Sequence, residues 1–207
     1  MRGLAFLLAT LAGPALSASI EIEVEGEANG KISIDLLENV APGHVERIVA
    51  LAEEGAYDGV AFHRVIEGFM AQTGDVEFGR VEDGNLGQAG TGGSNMPNLK
   101  AEFTDTSFER GVVGMARSGH PDSANSQFFI MFAPAPHLDG QYTVVGRVTE
   151  GLDVLDKIKR GQGLNGAVLG NPDVMNKVTV VEGYSGKPFH RRALSFIGTT
   201  WRKLFGG

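Results

Sequence analysis

A single arginine, Arg64, lies in the apolar stretch FHRVIEGFMAQTGD at residues 62–75. Phe69, Met70 and Gln72 come five to eight residues after it. An arginine side chain is planar, permanently charged and presents several hydrogen-bond donors in a fixed geometry. A charge within an apolar strand is costly unless it is paired or used. The stretch therefore predicts a fixed donor beside an apolar pocket, and it contains no serine or cysteine nucleophile.

Other motifs that could carry chemistry lack their usual context. GQGLNG (Gly161–Gly166) matches the dinucleotide-binding fingerprint, but a predicted helix precedes it and none opens from it, so we interpret it as a loop. HPDSANS at 120–126 contains His, Asp and Ser without the nucleophile elbow of a triad. The five histidines lack metal-ligand spacing and cysteine is absent. We therefore expect neither a cofactor nor a metal.

Four stretches together carry a specific resemblance. FHRVIEGFMAQTGD, GVVGMARSG, NSQFFIMF and HLDGQYTVVGRVTEGLDVLDKI resemble the signature sequences of the cyclophilin family of peptidyl-prolyl isomerases, in order from about Ser19 to Gly183. The resemblance implies a closed eight-stranded antiparallel β-barrel capped by two α-helices. It also implies cis–trans isomerisation of X-Pro bonds in peptides and in unfolded or folding proteins, without a cofactor.

Cis–trans isomerisation offers a catalytic role for an arginine donor. Rotation about an X-Pro bond must break amide resonance, for which the barrier is about 18–20 kcal/mol. As the bond twists, a lone pair localises on the prolyl nitrogen, and a donor aimed at it stabilises the twisted state more than either planar state. A thousandfold acceleration requires only about 4 kcal/mol. No covalent bond changes, so no acid, base or nucleophile is needed.

The resemblance also assigns roles to individual residues. Arg64 would be the catalytic donor, and Gln72 would hold its guanidinium and contact the substrate backbone. The other members of the predicted site would line the proline pocket or bind the flanking peptide: Phe69, Met70, Gly90, Ala116 and Arg117 (through their backbone), Gln127, Phe129, His137, Leu138 and Tyr142. The alternative for Phe69, Met70 and Phe129 is a place in the barrel core, which we expect for Phe128. His63 should face away from Arg64 because strand side chains alternate.

Two positions depart from the familiar eukaryotic pattern. His137 stands where those members commonly have a tryptophan, and Tyr142 where they have a histidine. Tyr142 can still close the pocket with a ring, so we expect activity to survive. Loss of the indole donor and contact area at His137 predicts weakened cyclosporin binding. The loop at 76–89 is longer than in compact members, and a variable surface excursion is the expectation.

The surrounding sequence is rich in short strands. SIEIEVE and KISIDL alternate apolar and polar residues on either side of GEANG and predict a hairpin. APGHVERIVALAEEG predicts an amphipathic helix from Pro42 to Gly55, and GLDVLDKIKRG predicts a shorter helix at Gly151–Gly161. Many short strands with two helices favour a closed antiparallel barrel, in agreement with the fold that the resemblance implies.

The two ends of the chain differ from its middle. Arg2, an uncharged apolar run and small residues at 15–19 predict a signal peptide at residues 1–18 and export to a bacterial periplasm. The alternative is an uncleaved membrane anchor. Residues 19–184 form the predicted isomerase domain. The tail at 185–207 mixes apolar side chains with five basic ones, which predicts contact with an anionic membrane surface or a partner. A tail packed on its own acidic domain, or disordered, is the alternative.

Charge narrows the choice of partners. All 25 acidic residues lie between Glu21 and Glu182, together with 12 of the 18 basic residues, so this region carries a net charge of −13. Nucleic acid is therefore not an expected partner, because phosphates require a basic surface. A non-catalytic proline-peptide binding module or chaperone on the same barrel is the alternative function. A membrane-tethered protein whose tail matters most is compatible with either function.

Overall fold

The structure, a computed structural model, describes residues 18–83 and 85–181. The predicted tail, and all but the last residue of the predicted signal peptide, lie outside these residues. Within the described ranges, no helix combines the length and the apolarity needed to cross a membrane.

The first two strands form the predicted hairpin. β1 (Ser19–Glu25) and β2 (Gly30–Leu36) pair antiparallel, with Ile22 opposite Ile32. The isoleucines and Val24 of β1 are buried, whereas the glutamates between them are more exposed. This alternation is expected when one face of a sheet covers a core and the other faces solvent.

The first helix, α1 (Pro42–Glu53), agrees with the predicted amphipathic helix. Proline occupies the first turn, where a backbone N–H would have no partner within the helix. Val45, Ile48, Val49 and Ala52 form its buried face and pack into the main core. The helical spacing of these residues was the signal that predicted it.

Seven further strands complete one sheet in the described part of the chain. They are β3 (Val60–Ala61), β4 (Arg64–Ile66), β5 (Met70–Thr73), β6 (Val112–Met115), β7 (Phe128–Met131), β8 (Val144–Glu150) and β9 (Val174–Val181). The strand order is β3-β9-β1-β2-β8-β6-β7-β5-β4, with antiparallel pairing throughout. Single 3-10 turns lie at Val81–Asp83, Leu86–Gln88, Pro121–Ser123, Pro136–Leu138 and Leu164–Gly166.

The sheet is an open half-barrel, so the prediction of a closed eight-stranded barrel is wrong. The stretch 60–66 is divided into two short strands, of which β3 pairs with β9 and β4 pairs with β5. These two strands are the edges of the nine-stranded sheet, and no ladder joins them among the described residues. The division falls at Phe62 and His63, where isolated backbone hydrogen bonds to Asp173 and Val168 replace a continuous ladder.

The second helix, α2 (Leu152–Leu155), is shorter than the helix predicted at Gly151–Gly161. Leu155 and Ile158 are both buried, which explains why their spacing resembles a helical face. Beyond α2, however, the Ile158 N–H donates to the Leu155 carbonyl at 3.2 Å, a three-residue turn instead of a continuing α-helix.

Two apolar clusters lie inside the fold. The main core packs the sheet against α1, and it includes Phe128. A smaller cluster, which we call the site cluster, contains Met70, Phe108, Val112, Phe129, Met131, Ala135, Leu138 and Val144. Phe128 and Phe129 belong to different clusters because neighbouring residues of β7 face opposite sides of the sheet. The expected core position of Phe128 is confirmed.

Candidate active site

Arg64 on β4 lies directly opposite Gln72 on β5. Its Nη1 donates to Gln72 Oε1 at 3.1 Å, and its Nε donates to the backbone carbonyl of Asn165 at 2.8 Å. These two contacts fix the plane of the guanidinium group. The second terminal nitrogen, Nη2, donates to none of the described residues, so it is available to a bound molecule.

The carbonyl that receives Arg64 Nε belongs to the tight turn Leu164–Gly166. Asn165 has a φ of 57°, in the left-handed region that asparagine tolerates better than most residues. The Gly161 N–H anchors this segment to the carbonyl of Val65 at 2.9 Å. The loop predicted for GQGLNG is confirmed, but its contact with Arg64 was missed. The Asn-Gly pair signals the turn, whereas nothing local identifies its partner.

A chain of amide hydrogen bonds continues from Gln72. Because Gln72 accepts from Arg64 through Oε1, its Nε2 faces the next side chain and donates to Gln127 Oε1 at 2.9 Å. Gln127 Nε2 then donates to the backbone carbonyl of Gly92 at 2.8 Å. Two glutamines thus connect the arginine to a glycine-rich loop on the far side of the site.

An apolar pocket of about 160 Å³ opens beside the guanidinium. It is much smaller than the roughly 300–1,000 Å³ of pockets that enclose drug-sized ligands, and it suits one compact side chain. Nine of the twelve residues predicted for the site line it: Arg64, Phe69, Met70, Gln72, Ala116, Arg117, Phe129, Leu138 and Tyr142.

Aromatic rings define the walls of this pocket. Phe129 stacks on Phe108 with ring centroids 5.7 Å apart and meets Tyr142 edge-on at 5.8 Å. His137 stacks on Phe69 at 5.8 Å, and it lies beside the pocket instead of in its lining. The ring of His137 therefore supports a wall of the pocket from outside.

Arg117, the second cation at the pocket, is already engaged by the protein. Its guanidinium lies 4.5 Å from the centroid of the Tyr142 ring and donates to the Gln141 carbonyl at 3.0 Å. The Ala116 N–H donates to the Gln127 carbonyl at 2.9 Å. Of the Ala116 backbone groups, only the carbonyl oxygen is thus left to bind a peptide.

Arg64 is half-buried, and this burial lowers the pKa of its guanidinium, while Tyr142 acts weakly in the opposite direction. A guanidinium nevertheless stays charged at neutral pH, because the arginine side chain does not lose its proton in proteins. None of the ion pairs among the described residues involves Arg64. The pocket therefore has an unneutralised positive charge at its edge.

A polar groove of about 440 Å³ adjoins the apolar pocket and shares Gln72, Ala116 and Arg117 with it. Of the three other predicted residues, Gly90 and Gln127 line this groove and His137 does not. All of the remaining lining consists of small, hydroxyl or amide residues: Thr91, Gly92, Gly93, Ser94, Asn98, Ser118, Ser123 and Asn125. Such groups can exchange hydrogen bonds with the backbone of an extended peptide.

His63 lies in the break between β3 and β4, not within a strand, and it lines neither the pocket nor the groove. It is buried, and its ring packs under Gly90, where an added Cβ would lie 3.2 Å from the imidazole. Burial is the main cause that lowers the pKa of His63. Neither ring nitrogen has a hydrogen-bond partner among the described residues.

The fold and the site together define a class of protein. The molecule is a mostly-β half-barrel whose surface joins a small pocket, lined mainly by apolar and aromatic side chains, to a larger polar groove. The guanidinium of Arg64 lies at the pocket, and Gln72, to which it donates, lines both the pocket and the groove.

Comparisons with known proteins identify the family. The family model for cyclophilin type peptidyl-prolyl cis-trans isomerase/CLD matches residues 19–182. A probable peptidyl-prolyl cis-trans isomerase of Brucella suis is 56% identical over 153 residues, which cover 73% of this chain and 78% of that protein. A peptidyl-prolyl cis-trans isomerase of Helicobacter pylori is 44% identical over 136 residues, 64% of this chain and 76% of that protein.

Solved structures share the fold. A cyclophilin type peptidyl-prolyl cis-trans isomerase of Cryptosporidium parvum superposes with a TM-score of 0.66 at 22% identity, covering 80% of this chain and 98% of that one. A second structure of that protein, in the presence of the dipeptide Ala-Pro, has a TM-score of 0.65 at 22% identity and covers 79% and 98%. The chain therefore belongs to the cyclophilin-type peptidyl-prolyl cis-trans isomerase family and is an isomerase.

Proposed function

We propose that Arg64 catalyses rotation about X-Pro bonds by donating a hydrogen bond to the prolyl nitrogen as the bond twists. The single observation that carries this proposal is the position, at the edge of a small apolar pocket, of a guanidinium that forms no ion pair with any residue in 18–83 or 85–181. Gln72 and the Asn165 carbonyl hold the guanidinium before substrate arrives, so little reorganisation is needed during the reaction.

The substrate would be an extended peptide with its prolyl ring in the apolar pocket. Phe129, Leu138 and Tyr142 would hold the ring by apolar contact, while the flanking backbone would lie along the polar groove. The Ala-Pro dipeptide present with the Cryptosporidium parvum protein supports a proline ligand by analogy of fold. Only bond rotation occurs, so the proposal includes no cofactor.

We further propose that the protein acts outside the cytoplasm, in a bacterial periplasm, on exported proteins as they fold. The support comes from the sequence of residues 1–18, which has a basic start, an apolar run and small residues near its end. Uncatalysed isomerisation takes tens of seconds or longer and can limit folding. An exported isomerase would remove this delay.

Proline-limited refolding of a model protein tests the activity and its central residue together. We expect wild type to accelerate the slow phase and Arg64→Ala to lower the catalysed rate about 10- to 150-fold, because a charge-assisted hydrogen bond is worth roughly 1.5–3 kcal/mol. Arg64→Lys should fall between them, since it keeps a charge but loses the planar fork.

Arg147→Ala is the matched control, because Arg147 is an exposed arginine on β8 outside both the pocket and the groove. This variant should match wild type. If wild type binds proline peptides but leaves the slow phase unchanged, the molecule is a non-catalytic peptide-binding module and the proposed mechanism is wrong.

For residues 185–207 we propose contact with an anionic membrane surface, based on five basic residues interleaved with apolar ones. Sedimentation with phosphatidylglycerol vesicles tests it. Full-length protein should bind at low salt and be released at high salt, whereas a variant ending at residue 184 should stay in solution. Equal recovery of both proteins in the supernatant would count against the contact.

A further inference from the structure

One carboxylate anchors both ends of the long loop next to the groove. Asp75 follows β5 and is fully buried. Its Oδ1 accepts the backbone N–H groups of Glu77 at 3.1 Å and Phe78 at 2.9 Å. Its Oδ2 accepts those of Gly90 at 2.7 Å and Gly92 at 2.9 Å. The segment between these pairs, 79–89, belongs to the loop predicted at 76–89 as a surface excursion.

The anchor depends on a close backbone approach at Gly92. A Cβ at this position would lie 2.6 Å from Asp75 Oδ1, a distance that real Cβ atoms essentially never show. Only glycine lets the backbone come this near the carboxylate. The geometry of the loop is therefore set by Asp75 at the point where the loop joins the groove.

From Gly92 the hydrogen bonds lead without a break to Arg64. The Gly92 carbonyl accepts from Gln127 Nε2 at 2.8 Å, and Gln127 Oε1 accepts from Gln72 Nε2 at 2.9 Å. Gln72 Oε1 then accepts from Arg64 Nη1 at 3.1 Å. Each amide has one acceptor and one donor group in use, so displacing Gly92 changes the partner that orients the next side chain.

Asp75 lines neither the apolar pocket nor the polar groove. Its direct contacts lead to the groove through the backbone groups that it holds, Gly90 and Gly92. A second carboxylate contact to this loop, from Glu77 Oε2 to the Gly93 N–H, is exposed and longer, at 3.3 Å. Asp75 is thus the buried anchor of this part of the groove among the described residues.

We propose that Asp75 is a positioning residue for the isomerase site, which it orients through Gly92, Gln127 and Gln72. The proposal deepens the function proposed for Arg64 and rests on it. Asp75 touches no substrate in this account. Asp75 fixes the position of Gly92, so that Gln127 and Gln72 can hold Arg64 in one orientation.

The test is Asp75→Asn, which keeps the size of the side chain and replaces one acceptor oxygen by a donor amide. One of the two backbone N–H pairs then faces a donor, so that end of the loop is released. We expect kcat/KM for a proline peptide to fall about 5- to 30-fold. The affinity for a dipeptide such as Ala-Pro, which is too short to follow the groove, should change less than threefold, because the lining of the apolar pocket is intact.

A double-mutant cycle with Gln127→Ala separates the relay from a general loss of structure. If Asp75 acts through Gln127, Asp75→Asn should change the rate of the Gln127→Ala protein less than twofold. Equal fold-losses in both backgrounds would overturn the proposal. If Asp75→Asn does not fold, Asp75→Glu, which keeps the charge but displaces it, takes its place in the same cycle.

Asp173→Asn is the matched control. Asp173 is also buried, and its carboxylate accepts the backbone N–H groups of Ala28 at 2.8 Å and Lys159 at 2.6 Å. Its loss should lower the melting temperature as Asp75→Asn does, without changing the rate at equal folded fraction. Equal rate losses in the two variants would contradict a specific role for Asp75.

A measurement that does not depend on catalysis tests the role of Asp75 separately from the role proposed for Arg64. The NMR signals of the Gln127 side-chain amide and of the Arg64 Nε–H should shift in Asp75→Asn but not in Asp173→Asn. Unshifted signals in Asp75→Asn would overturn the relay even if Arg64 is catalytic. Failure of wild type to accelerate isomerisation would instead refute the function of Arg64 and leave these shifts to test the relay.

Discussion

Arg64 and Gln72 face each other across the β4–β5 ladder, and a 3.1 Å hydrogen bond joins Arg64 Nη1 to Gln72 Oε1. The same glutamine donates through Nε2 to Gln127 at 2.9 Å. Gln72 therefore holds the guanidinium without neutralising it. A carboxylate at this position would hold the guanidinium as firmly, but it would neutralise most of the positive charge.

The substitution Gln72→Glu distinguishes two roles of Gln72. One is to orient the guanidinium of Arg64, and the other is to leave its positive charge without a counter-charge. The substituted carboxylate pairs with Arg64 and places a second acceptor against Gln127 Oε1. We expect kcat/KM to fall about tenfold or more, because a paired guanidinium stabilises the prolyl lone pair less. The measurement is isomerisation of a proline peptide at several salt concentrations. Unchanged activity would show that Gln72 acts as a holder alone.

Glu102 should matter for stability. The residue before α1, Ala41, has no side-chain cap, and Glu102 instead accepts the N–H groups of Gly43 and His44, each at 3.1 Å. It also lies 2.6 Å from the imidazole of His44. We expect Glu102→Gln to lower the free energy of unfolding by about 1–3 kcal/mol.

Thermal unfolding measures this effect, since 1 kcal/mol shifts the melting temperature of a protein of this size by about 2–4 °C. Glu109→Gln is the control, because Glu109 is exposed. The two variants should have the same isomerase activity at a temperature where both are folded. Equal melting temperatures for both variants would show that Glu102 does not stabilise the N-terminal end of α1.

His63 should make stability depend on pH. Burial lowers its pKa below the ordinary value of 6.5, Arg64 lowers it further, and Asp75 opposes the shift. As the pH falls below about 6.5, the unfolded chain binds a proton that the folded chain does not. This contribution to stability is therefore present above that pH and is lost on acidification, at no more than about 1.4 kcal/mol per pH unit.

Urea unfolding of wild type and His63→Gln between pH 7.5 and 5 isolates this contribution. The acidic side chains are common to both proteins, so the difference between their pH slopes reports His63. We expect a shallower slope in His63→Gln. Identical slopes would mean that His63 keeps its ordinary pKa in the folded protein.

The stacking of His137 on Phe69 is relevant to the affinity for cyclosporin. An indole would add a hydrogen-bond donor and a larger ring at this edge of the pocket. We expect His137→Trp to tighten cyclosporin binding at least tenfold in a calorimetric titration. His120→Trp, at an exposed histidine, is the control and should leave binding unchanged. A His137→Trp protein that binds no better than wild type would contradict the role given to this position.

Local sequence patterns predicted individual strands, but they did not predict that the sheet stays open between β3 and β4. Alternation identified β1, β2 and the opposite faces of Phe128 and Phe129, because these depend only on strand geometry. Closure of a barrel depends instead on whether residues 60–66 form one ladder or two. That choice is made by contacts of Phe62 and His63 with residues more than a hundred positions away, such as Asp173.

The same limit applies to the candidate site. The resemblance identified the nine residues that line the pocket, because their motifs are local, but only five of the thirteen that line the groove. It did not identify the Asn165 carbonyl, which is 101 residues from Arg64. Nor did it identify Asp75 as the anchor of the groove loop. In both contacts one of the two partners is a backbone group, whose position the residue types do not reveal, so only the folded chain shows the pairing.

Exchange NMR on a proline peptide, with wild type and Arg64→Ala, tests the central claim most directly. It measures the affinity of the peptide and the rate of cis–trans exchange in the same sample. If Arg64 stabilises the twisted bond, the variant should bind the peptide within about threefold of wild type while the exchange rate falls at least tenfold. An exchange rate that falls only in proportion to affinity, or does not fall, would contradict the role of Arg64 as the donor to the prolyl nitrogen.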